Sequence, residues 1–378
     1  MGTDHVQRST GGARVRLLSL DVFRGVAVAG MILVNHPGDP QEVWPQLAHA
    51  PWNGWTAADL VFPAFLFIVG VAIALSLAPW KSPEVRRAPI VRRIVLRTLT
   101  LFGLGVLLNA FPALHLATLR IPGVLQRIAL CYLLGSLAFL TLDLPGHVGL
   151  LVTLLGTYWV LMTRVPVPGS GAGVLEPGAD LAAWLDRLTL NGHLGRGSWD
   201  PEGLLSTLPA LASTLMGVLA GHWVRGARTV AAKSVGLVVA GLAGVVVGEC
   251  LGRWFPINKN LWTSSFAVVT GGMSALLFGM TSWVVDVKRH RRLAMPFLVF
   301  GRNPIALYVL ATLVAKVLDT VVVPSAPATT SLREMAYRLA FASWAGPVAG
   351  SFLFSLAFVA VWLLPMAILY RRGVFIRV

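Results

Sequence analysis

Charged residues are scarce in this chain. Only 12% of its 378 residues are Asp, Glu, Lys or Arg, whereas 56% are hydrophobic. Soluble domains carry about 25% charged residues, so this composition excludes a soluble globular protein. None of the apolar stretches alternates with polar residues as the strands of a membrane barrel do. The sequence therefore predicts an all-α polytopic membrane protein.

Cysteine and the common signatures of soluble enzymes are also scarce or missing. Cys131 and Cys250 both fall in apolar stretches, which predicts packing roles rather than a disulfide framework. The chain has no Gly-x-x-x-x-Gly-Lys phosphate loop, no Gly-x-Ser-x-Gly elbow and no residue set with structural-zinc spacing. We therefore predict neither a metal site nor nucleotide hydrolysis.

Long apolar runs recur along the whole chain. A hydrocarbon core of roughly 30 Å requires about 20 residues of helix. Windows of that length predict about ten transmembrane helices, and an eleventh near 332–344 is left open. The predicted spans are 17–36, 57–79, 94–112, 122–142, 147–163, 204–224, 230–252, 262–284, 294–316 and 346–370. We interpret residues 17–370 as a single transmembrane domain.

The basic residues indicate how the chain is oriented. With the N-terminus in the cytoplasm, the inside loops hold about twice as many Lys and Arg residues as the outside loops. Both termini are therefore predicted to be cytoplasmic. The predicted cytoplasmic ends are the basic segment 1–16 and the tail 371–378, and the predicted extracytoplasmic loops include those near 37–56, 164–203 and 317–345. Anionic lipid explains the basic clusters, so the net charge of +15 does not indicate a nucleic-acid partner.

Groups suited to acid–base chemistry lie between the first two predicted spans. His49 is in the loop that joins Asn35, at the end of the first span, to Asp59, at the start of the second. A histidine can act as a general base near neutral pH, and a carboxylate can orient and charge-stabilise it. Two alternatives stay open. Asp59 could serve only the helix N-terminus, and His36 is a competing base.

Ionisable residues inside spans are costly, by about 2.5–3.5 kcal/mol at a helix centre, and usually face a cavity or a partner. Asp21 and Arg24 are three residues apart on one helix face, which is compatible with a local ion pair or with a functional role. Arg302 lies in the ninth span. Glu249 is interpreted as a helix-end acid near Arg253.

Several further polar residues mark the ends of spans. They are Trp52 and Asn53 beside His49, Gln126 and Arg127 at the fourth span, Asn258, Lys259 and Asn260 at the eighth, and Arg302 and Asn303 in the ninth. Each pair or triplet alone is a weak signal. Together they predict a polar chamber inside the bundle.

The motifs resemble those of the transmembrane acyltransferase family that includes heparan-α-glucosaminide N-acetyltransferase. The matching pieces are Ser19-Leu-Asp-Val-Phe-Arg-Gly25, Val34-Asn35, His49-Ala-Pro-Trp-Asn-Gly54, Ala58-Asp-Leu-Val-Phe-Pro63, Gly123-Val-Leu-Gln-Arg127, Asp200-Pro-Glu-Gly-Leu204 and Pro256-Ile-Asn-Lys-Asn-Leu-Trp262. They extend from the first predicted span to the eighth.

The resemblance implies an enzyme that takes an acetyl group from cytoplasmic acetyl-CoA and delivers it to an amino sugar on the far side of the membrane. It also implies that His49 is the active-site histidine and that Asn35 lies close to the acyl group. Lysosomal members carry a large extracytoplasmic domain before the first span; no counterpart is expected in this protein, so glycan recognition is expected to fall to 164–203 and 317–345. Its compact, Ala-, Gly-, Val- and Arg-rich sequence fits a bacterial inner-membrane homologue.

The predicted function is acetyl-CoA-dependent N-acetyl transfer to an amino sugar or related glycan, with no metal. The predicted catalytic residues are His49, Asn35 and Asp59. The predicted substrate- or CoA-binding residues are Asp21, Arg24, Trp52, Asn53, Gln126, Arg127, Asn258, Lys259, Asn260, Arg302 and Asn303.

Other functions and details are left open by the sequence. A sugar or lipid-linked sugar transporter also places charged residues in spans, although the internal repeats of many transporters are not evident. A structural or sensory membrane protein would use the polar residues only for helix packing. Within the acyltransferase interpretation, O-transfer, a longer acyl chain, an acetyl-histidine intermediate and a homodimer are all compatible with the residues.

Overall fold

The computed structural model describes residues 17–82, 86–325 and 328–376. The predicted cytoplasmic segment 1–16 and residues 377–378 of the predicted tail lie outside this range. The described part is mostly helical, as the composition predicts, with two short β-hairpins. The predicted domain and loop boundaries stay predictions.

The helices are α1 (Leu18–Asn35), α2 (Val61–Leu77), α3 (Ala88–Ala110), α4 (Val124–Thr141), α5 (Leu144–Arg164), α6 (Leu181–Leu190), α7 (Thr207–Arg225), α8 (Val230–Leu251), α9 (Ser264–Ser282), α10 (Arg291–Arg302), α11 (Pro304–Thr320), α12 (Leu332–Tyr337), α13 (Ser343–Ala345), α14 (Pro347–Val361) and α15 (Leu363–Arg371). The hairpins pair β1 (Pro166–Val167) with β2 (Gly171–Ala172) and β3 (Val322–Ser325) with β4 (Ala328–Ser331). A 3₁₀ turn, Ala57–Leu60, leads directly into α2.

Among the described residues, eight helical stretches are long and apolar enough to cross a membrane. They are Leu18–Asn35, Ala57–Lys81, Val124–Thr141, Leu144–Arg164, Thr207–Arg225, Val230–Leu251, Ser264–Val287 and Pro347–Arg371. A bent pair raises the number to nine. The span predicted at 94–112 corresponds to α3, which is not one of the nine. The predicted count of ten or eleven therefore stays a prediction.

The ninth predicted span is not a straight helix. It consists of α10 and α11, which meet at an angle of 76°. Pro304 follows Asn303 at the break, and proline both lacks a backbone N–H and clashes with the preceding turn of a helix. The bend leaves Arg302 and Asn303 at the junction, where their side chains can reach other elements.

Helix α2 lies at the centre of the bundle, with most of its residues buried. It packs very closely against α7 through glycine. A Cβ atom on Gly70 would lie 1.9 Å from the carbonyl oxygen of Thr214, and one on Gly217 would lie 2.0 Å from that of Phe67. Because lipid gives no hydrophobic driving force between helices, such close backbone contact is how membrane helices gain packing energy.

A second close contact joins α1 to α10. A Cβ atom on Gly301 would lie 1.7 Å from the carbonyl oxygen of Asp21, and one on Gly25 would meet the carbonyl of Phe297 at the same distance. Asn303 extends this cluster, because its side chain donates to Val374 O at 3.0 Å. The start of α1, the α10–α11 bend and the C-terminal segment therefore lie at one end of the bundle. Which side of the membrane this end faces stays a prediction.

The opposite end is built from the loop between α1 and α2, the segment between α5 and α7, and the residues before α9. The indole of Trp52 donates to Leu175 O at 2.9 Å, which ties the first two together. The backbone N–H of Gly54 donates to Ile257 O at 2.7 Å, which ties the first to the third. These three segments carry the candidate site.

Candidate active site

His49 is paired with Asp59. The imidazole Nδ1 lies 2.8 Å from Asp59 Oδ1, and the carboxylate is fully buried while 41% of the His49 side chain is exposed. Because an ionised carboxylate can only accept a hydrogen bond, we assign the proton to Nδ1. Nε2 is then the nitrogen that can take a proton from another molecule.

The second oxygen of Asp59 has different partners. Oδ2 accepts hydrogen bonds from Thr56 N at 3.0 Å, from Thr56 Oγ1 at 3.2 Å and from Ala50 N at 3.1 Å. It thus caps the 3₁₀ turn that begins α2. Both interpretations of Asp59 are compatible with the structure, because Oδ2 stabilises the helix start and Oδ1 faces the imidazole.

Lys259 completes the cluster. Its Nζ lies 3.1 Å from Asp59 Oδ1 and 2.9 Å from His49 Nδ1. Burial lowers the pKa of Lys259, and the charges of Asp59 and Glu202 oppose that shift. The sequence predicts that Lys259 binds substrate or CoA. In the structure, Lys259 contacts the predicted catalytic pair His49 and Asp59.

Asn53 and Asn258 bring Lys259 to this position. Asn258 is buried, and its side-chain amide donates to Asn53 Oδ1 at 3.1 Å. Its own Oδ1 accepts from Leu261 N at 2.9 Å, which fixes the turn before α9. Gly54, with φ +97°, supplies the left-handed backbone that this antiparallel bridge requires. Both asparagines therefore position the site.

His49 lines a cavity of about 420 Å³. Asn35, Asn260 and Lys259 supply further polar atoms to the same walls, as the polar chamber predicts. The remaining lining residues are Met31, Val34, Ala50, Pro51, Ala58, Val61, Phe62, Val124, Arg196, Trp199, Pro201 and Glu202. Of the predicted recognition loops, 164–203 contributes four of these residues, whereas no described residue of 317–345 lines the cavity.

Glu202, which lines the cavity, forms a cluster with Arg120 and Asp200, and none of the three was predicted individually as a site residue. Arg120 donates to Asp200 Oδ2 at 2.8 Å and Oδ1 at 2.7 Å, and to Glu202 Oε2 at 2.5 Å. Burial alone would lower the pKa of Arg120, but its bonds to Asp200 and the charge of Glu202 raise it overall. One guanidinium thus serves two carboxylates, so the cluster carries one surplus negative charge at the cavity wall.

A sequence signal for this wall existed. Asp200-Pro201-Glu202 belongs to the motif set that suggested the family, and two carboxylates two residues apart just before a span are costly unless a cation pairs with them. Arg120 is 80 residues away in sequence from Asp200. Nothing local in the sequence connects them.

A second cavity, of about 320 Å³, lies at the other end of α2. Its walls include three arginines, Arg24, Arg97 and Arg302. Arg24 Nη1 lies 3.0 Å from Asp21 Oδ1, and Arg302 Nη1 lies 3.4 Å from Asp21 Oδ2. The local ion pair that the helix spacing predicts is therefore present, and Arg302 extends it into a three-residue cluster.

The two cavities follow each other along α2 and α4. On α2, Phe62 lines the His49 cavity and Phe65 lines the arginine cavity. On α4, Val124 lines the His49 cavity and Ile128 lines the arginine cavity. Three or four residues are about one helical turn, or roughly 5 Å. The linings of the two cavities are therefore about one helical turn apart on α2 and α4.

Gln126 and Arg127 are not among the described residues that line either cavity. Arg127 is 1% exposed, donates to Gly203 O at 3.1 Å and to the hydroxyl of Ser206, and lies over the ring of Trp262. The start of α4 turns this face into the bundle, where Arg127 packs against the segment leading to α7, and its predicted binding role stays a prediction.

Trp52 and Asn303 also act at a distance from the cavities. The Trp52 ring meets Trp199 edge to face, with ring centroids 5.3 Å apart, and so braces a residue of the cavity wall. Asn303 is buried and accepts from Ile376 N at 2.8 Å. That bond holds the C-terminal segment beside Arg302, because Phe375 and Ile376 line the arginine cavity.

The structure changes the interpretation of His36 and of Glu249. His36, the competing base, packs edge to face on Phe358, and burial lowers its pKa to about 4. It is not among the described residues that line the His49 cavity. Glu249 accepts from the indole of Trp55 at 2.8 Å, and no ion pair with Arg253 is found among the described residues.

Within the described ranges 17–82, 86–325 and 328–376, His, Cys, Asp and Glu side chains form no group of three or more that could hold a metal ion.

Comparison with known proteins tests the family resemblance. The family model for the catalytic region of heparan-alpha-glucosaminide N-acetyltransferase matches residues 16–255. The Homo sapiens heparan-alpha-glucosaminide N-acetyltransferase is 30% identical over 353 residues, covering 78% of this chain and 52% of the human protein. The Mus musculus protein of the same name is 29% identical over 365 residues, covering 82% of this chain and 55% of the mouse protein.

The chain spans about half the length of these two relatives. The family match covers α1 to α8 and includes His49, Asp59 and Glu202, whereas Lys259 lies four residues beyond its end. The resemblance suggested by the motifs is confirmed: the chain belongs to the heparan-alpha-glucosaminide N-acetyltransferase family.

Proposed function

We propose that this protein is a transmembrane acyltransferase that moves an acetyl group from cytoplasmic acetyl-CoA to an amino sugar or related glycan on the extracytoplasmic side. The observation that carries the proposal is the His49–Asp59 pair, 2.8 Å apart, at the wall of a polar cavity. A carboxylate-oriented imidazole whose Nε2 carries a lone pair is the arrangement that a general base or an acyl acceptor requires. The relatives' name supports acetyl transfer as the reaction.

The arginine cavity supports an acyl-CoA donor. Guanidinium groups bind phosphate oxygens with charge-assisted, often bidentate hydrogen bonds. Arg302 Nε is buried and makes no hydrogen bond with the described residues, so a donor is free for a ligand. We propose that the nucleotide phosphates bind near Arg24, Arg97 and Arg302, and that the pantetheine arm carries the thioester past Phe65 and Phe62 towards His49.

The wall of the His49 cavity that carries Trp199 and Glu202 supports a sugar acceptor. Trp199 offers an aromatic face, and Glu202 a carboxylate whose Oε1 accepts no hydrogen bond from the described residues. The surplus negative charge of the Arg120–Asp200–Glu202 cluster favours an acceptor that carries an ammonium group. We propose that the segment from Arg196 to Glu202 binds the acceptor.

In the direct route, the acceptor attacks as a neutral amine or hydroxyl, so an acceptor bound as an ammonium first releases one proton to solvent. Nε2 of neutral His49 then takes a proton from the acceptor as its nitrogen or oxygen attacks the thioester carbonyl. The new C–N or C–O bond forms while the C–S bond breaks, and His49 returns the proton to the leaving thiolate. Asp59 stabilises the transient imidazolium. Asn35 can donate to the developing oxyanion, an interaction typically worth about 10²–10³ in rate.

In the two-step route, Nε2 itself attacks the thioester and releases CoA thiolate. The neutral acceptor then attacks the acetylated imidazole, the Nε2–acetyl bond breaks to return neutral His49, and the acceptor's proton passes to solvent. Both routes need the same Nε2 and the same Asp59. Trapping of an acetylated peptide that contains His49, in the absence of acceptor, would select the two-step route.

The predicted location is the bacterial cytoplasmic membrane, with both termini in the cytoplasm. This orientation directs the arginine cavity to the compartment that supplies acyl-CoA and the His49 cavity to the outside. The close approach of the start of α1 to the C-terminal segment supports an even number of crossings, since it needs both at one end of the bundle.

The test is acetyl transfer from labelled acetyl-CoA by the purified protein in detergent, across a panel of amino sugars and neutral sugars. His49→Ala is expected to lose most turnover, by about 10²–10⁴, while acetyl-CoA binding persists. His115→Ala is the matched control, because His115 is an exposed histidine of a loop on the same predicted side, outside both cavities. Equal rates for His49→Ala and His115→Ala would remove His49 from the mechanism.

A result without transfer or acetyl-CoA binding would favour the transporter alternative. Uptake of labelled sugar by proteoliposomes in the absence of acyl-CoA would then support that alternative directly.

A further inference from the structure

Lys259 contacts both members of the His49–Asp59 pair. Its Nζ lies 2.9 Å from Nδ1 and 3.3 Å from Nε2 of His49, and 3.1 Å from Asp59 Oδ1. A lysine that only neutralised the carboxylate could do so without lying beside both ring nitrogens. Its position relative to the imidazole therefore calls for an explanation.

The hydrogen-bond geometry defines what Lys259 can do. His49 donates through Nδ1 to Asp59, so Nδ1 has no lone pair left for the ammonium. The ammonium and Nδ1–H are two donors that converge on Asp59 Oδ1. Protonation of Nε2 would then place a second positive charge within 3.3 Å of Lys259 Nζ. Like charges at such a distance disfavour the charged form of the titrating group.

We propose that Lys259 is a positioning residue whose ammonium opposes protonation of the His49 imidazole and drives the proton off it after each transfer step. Asp59 orients the ring and stabilises its positive charge, and Lys259 opposes that stabilisation. The base is then available to the acceptor and does not retain the proton that it has taken. The kinetic part of this inference rests on the proposed function, whereas the effect on protonation does not.

The other charges that face His49 do not replace this effect. Asp59 comes from the start of α2, and Glu202 and Arg196 line the cavity from the segment before α7. Arg196 is exposed at the rim, and Glu202 is paired with Arg120. Among the cavity-lining cations of the described chain, Lys259 is the one within hydrogen-bonding distance of the imidazole.

The experiment measures protonation of His49 without requiring turnover. Diethyl pyrocarbonate reacts with unprotonated imidazole, so its extent of reaction at His49, followed by mass spectrometry against pH, gives a midpoint pH. In Lys259→Met that midpoint is expected to rise by about one pH unit or more, because Asp59 then acts unopposed. Lys259→Arg keeps the charge and is expected to stay within a few tenths of a unit of the wild type.

Two further variants control the experiment. Lys259→Gln removes the charge but retains a donor for Asp59, so it replaces Lys259→Met if the methionine variant does not fold. Lys233→Met removes a lysine of α8 outside both cavities and is expected to leave the midpoint unchanged. In the uncharged Lys259 variants, the acid limb of the pH profile of kcat/KM for acetyl transfer should move to higher pH by the same amount as the midpoint.

The outcomes separate this inference from the proposed function. A midpoint that stays at the wild-type value in both uncharged variants overturns the role of Lys259, even if transfer is observed. A shifted midpoint in a protein that transfers no acetyl group supports the role of Lys259 and overturns the proposed function instead. A uniform loss of activity at every pH with no shift would indicate a merely structural lysine and would also overturn the inference.

Discussion

The side-chain amide of Asn258 donates a hydrogen bond to Asn53 Oδ1 across 3.1 Å, although 205 residues separate the two in sequence. This contact joins the loop that carries His49 to the turn that carries Lys259. The active-site cluster therefore depends on an amide pair that touches neither the imidazole nor the carboxylate.

Asn258→Ala should weaken the site in two ways. The substitution leaves Asn53 Oδ1 and Leu261 N without their partners, which is expected to cost about 1–3 kcal/mol of unfolding free energy. It should also release Lys259 and so reduce turnover. Unfolding in detergent and acetyl transfer are the measurements, with Asn191→Ala, at the exposed end of α6, as the control. Full turnover in Asn258→Ala would contradict the role given to this amide pair.

Gly217→Ala should destabilise the bundle. The new Cβ would lie 2.0 Å from the carbonyl oxygen of Phe67, so α2 and α7 must separate, at an expected cost of about 1–3 kcal/mol. Gly103→Ala on α3 is the matched control, because its Cβ would meet nothing within 4 Å. Denaturant unfolding of both variants checks the difference; equal stabilities would mean that the helices relax without loss.

Arg302→Gln should weaken the binding of acetyl-CoA without affecting the binding of the acceptor. Loss of a guanidinium that binds phosphate is expected to raise the KM for acetyl-CoA about tenfold or more, with the acceptor KM unchanged. Arg302→Lys should recover part of the loss, since the charge is kept but the bidentate geometry is not. Arg228→Gln is the control, because Arg228 stacks on Trp223 outside both cavities. An unchanged KM for acetyl-CoA would remove Arg302 from the donor site.

Glu202→Gln should weaken the binding of the amino sugar without affecting the binding of acetyl-CoA. The surplus negative charge of the Arg120 cluster disappears, so the KM for an amino sugar such as glucosamine is expected to rise about tenfold while that for acetyl-CoA stays constant. Glu176→Gln, an exposed residue of the same predicted extracytoplasmic segment, is the control. If Glu202→Gln instead changes the acetyl-CoA KM, or neither KM, Glu202 does not recognise the acceptor.

Some of the site follows directly from the sequence. His49 and Asp59 are only 10 residues apart, on a loop that must return to the membrane, so their proximity was predictable. Asp21 and Arg24 share one helix face because the α-helical repeat brings residues three apart together. The family, carried by short motifs in a fixed order, was also predictable from the sequence and is confirmed.

Other parts were not predictable from local sequence. Lys259 is 210 residues from His49 and Arg302 is 281 residues from Asp21, and both pairs meet only because particular helices pack together. The orientation of Gln126 and Arg127 was not predictable either. Polar residues at the start of a span can face a chamber or the interior of the bundle, and the direction in which α4 turns them is decided by its neighbours.

The sequence by itself determined the class of protein and the positions of most of its long helices. In hydrocarbon every backbone polar group must be satisfied within the segment, so an apolar run of sufficient length has few alternatives to a helix. The tertiary structure decided which polar side chains meet. Those meetings depend on close backbone contacts at glycines such as Gly25, Gly217 and Gly301, on the 76° bend before Pro304 and on the Asn53–Asn258 bridge. Such contacts arise between distant segments, and no local pattern of residues specifies them.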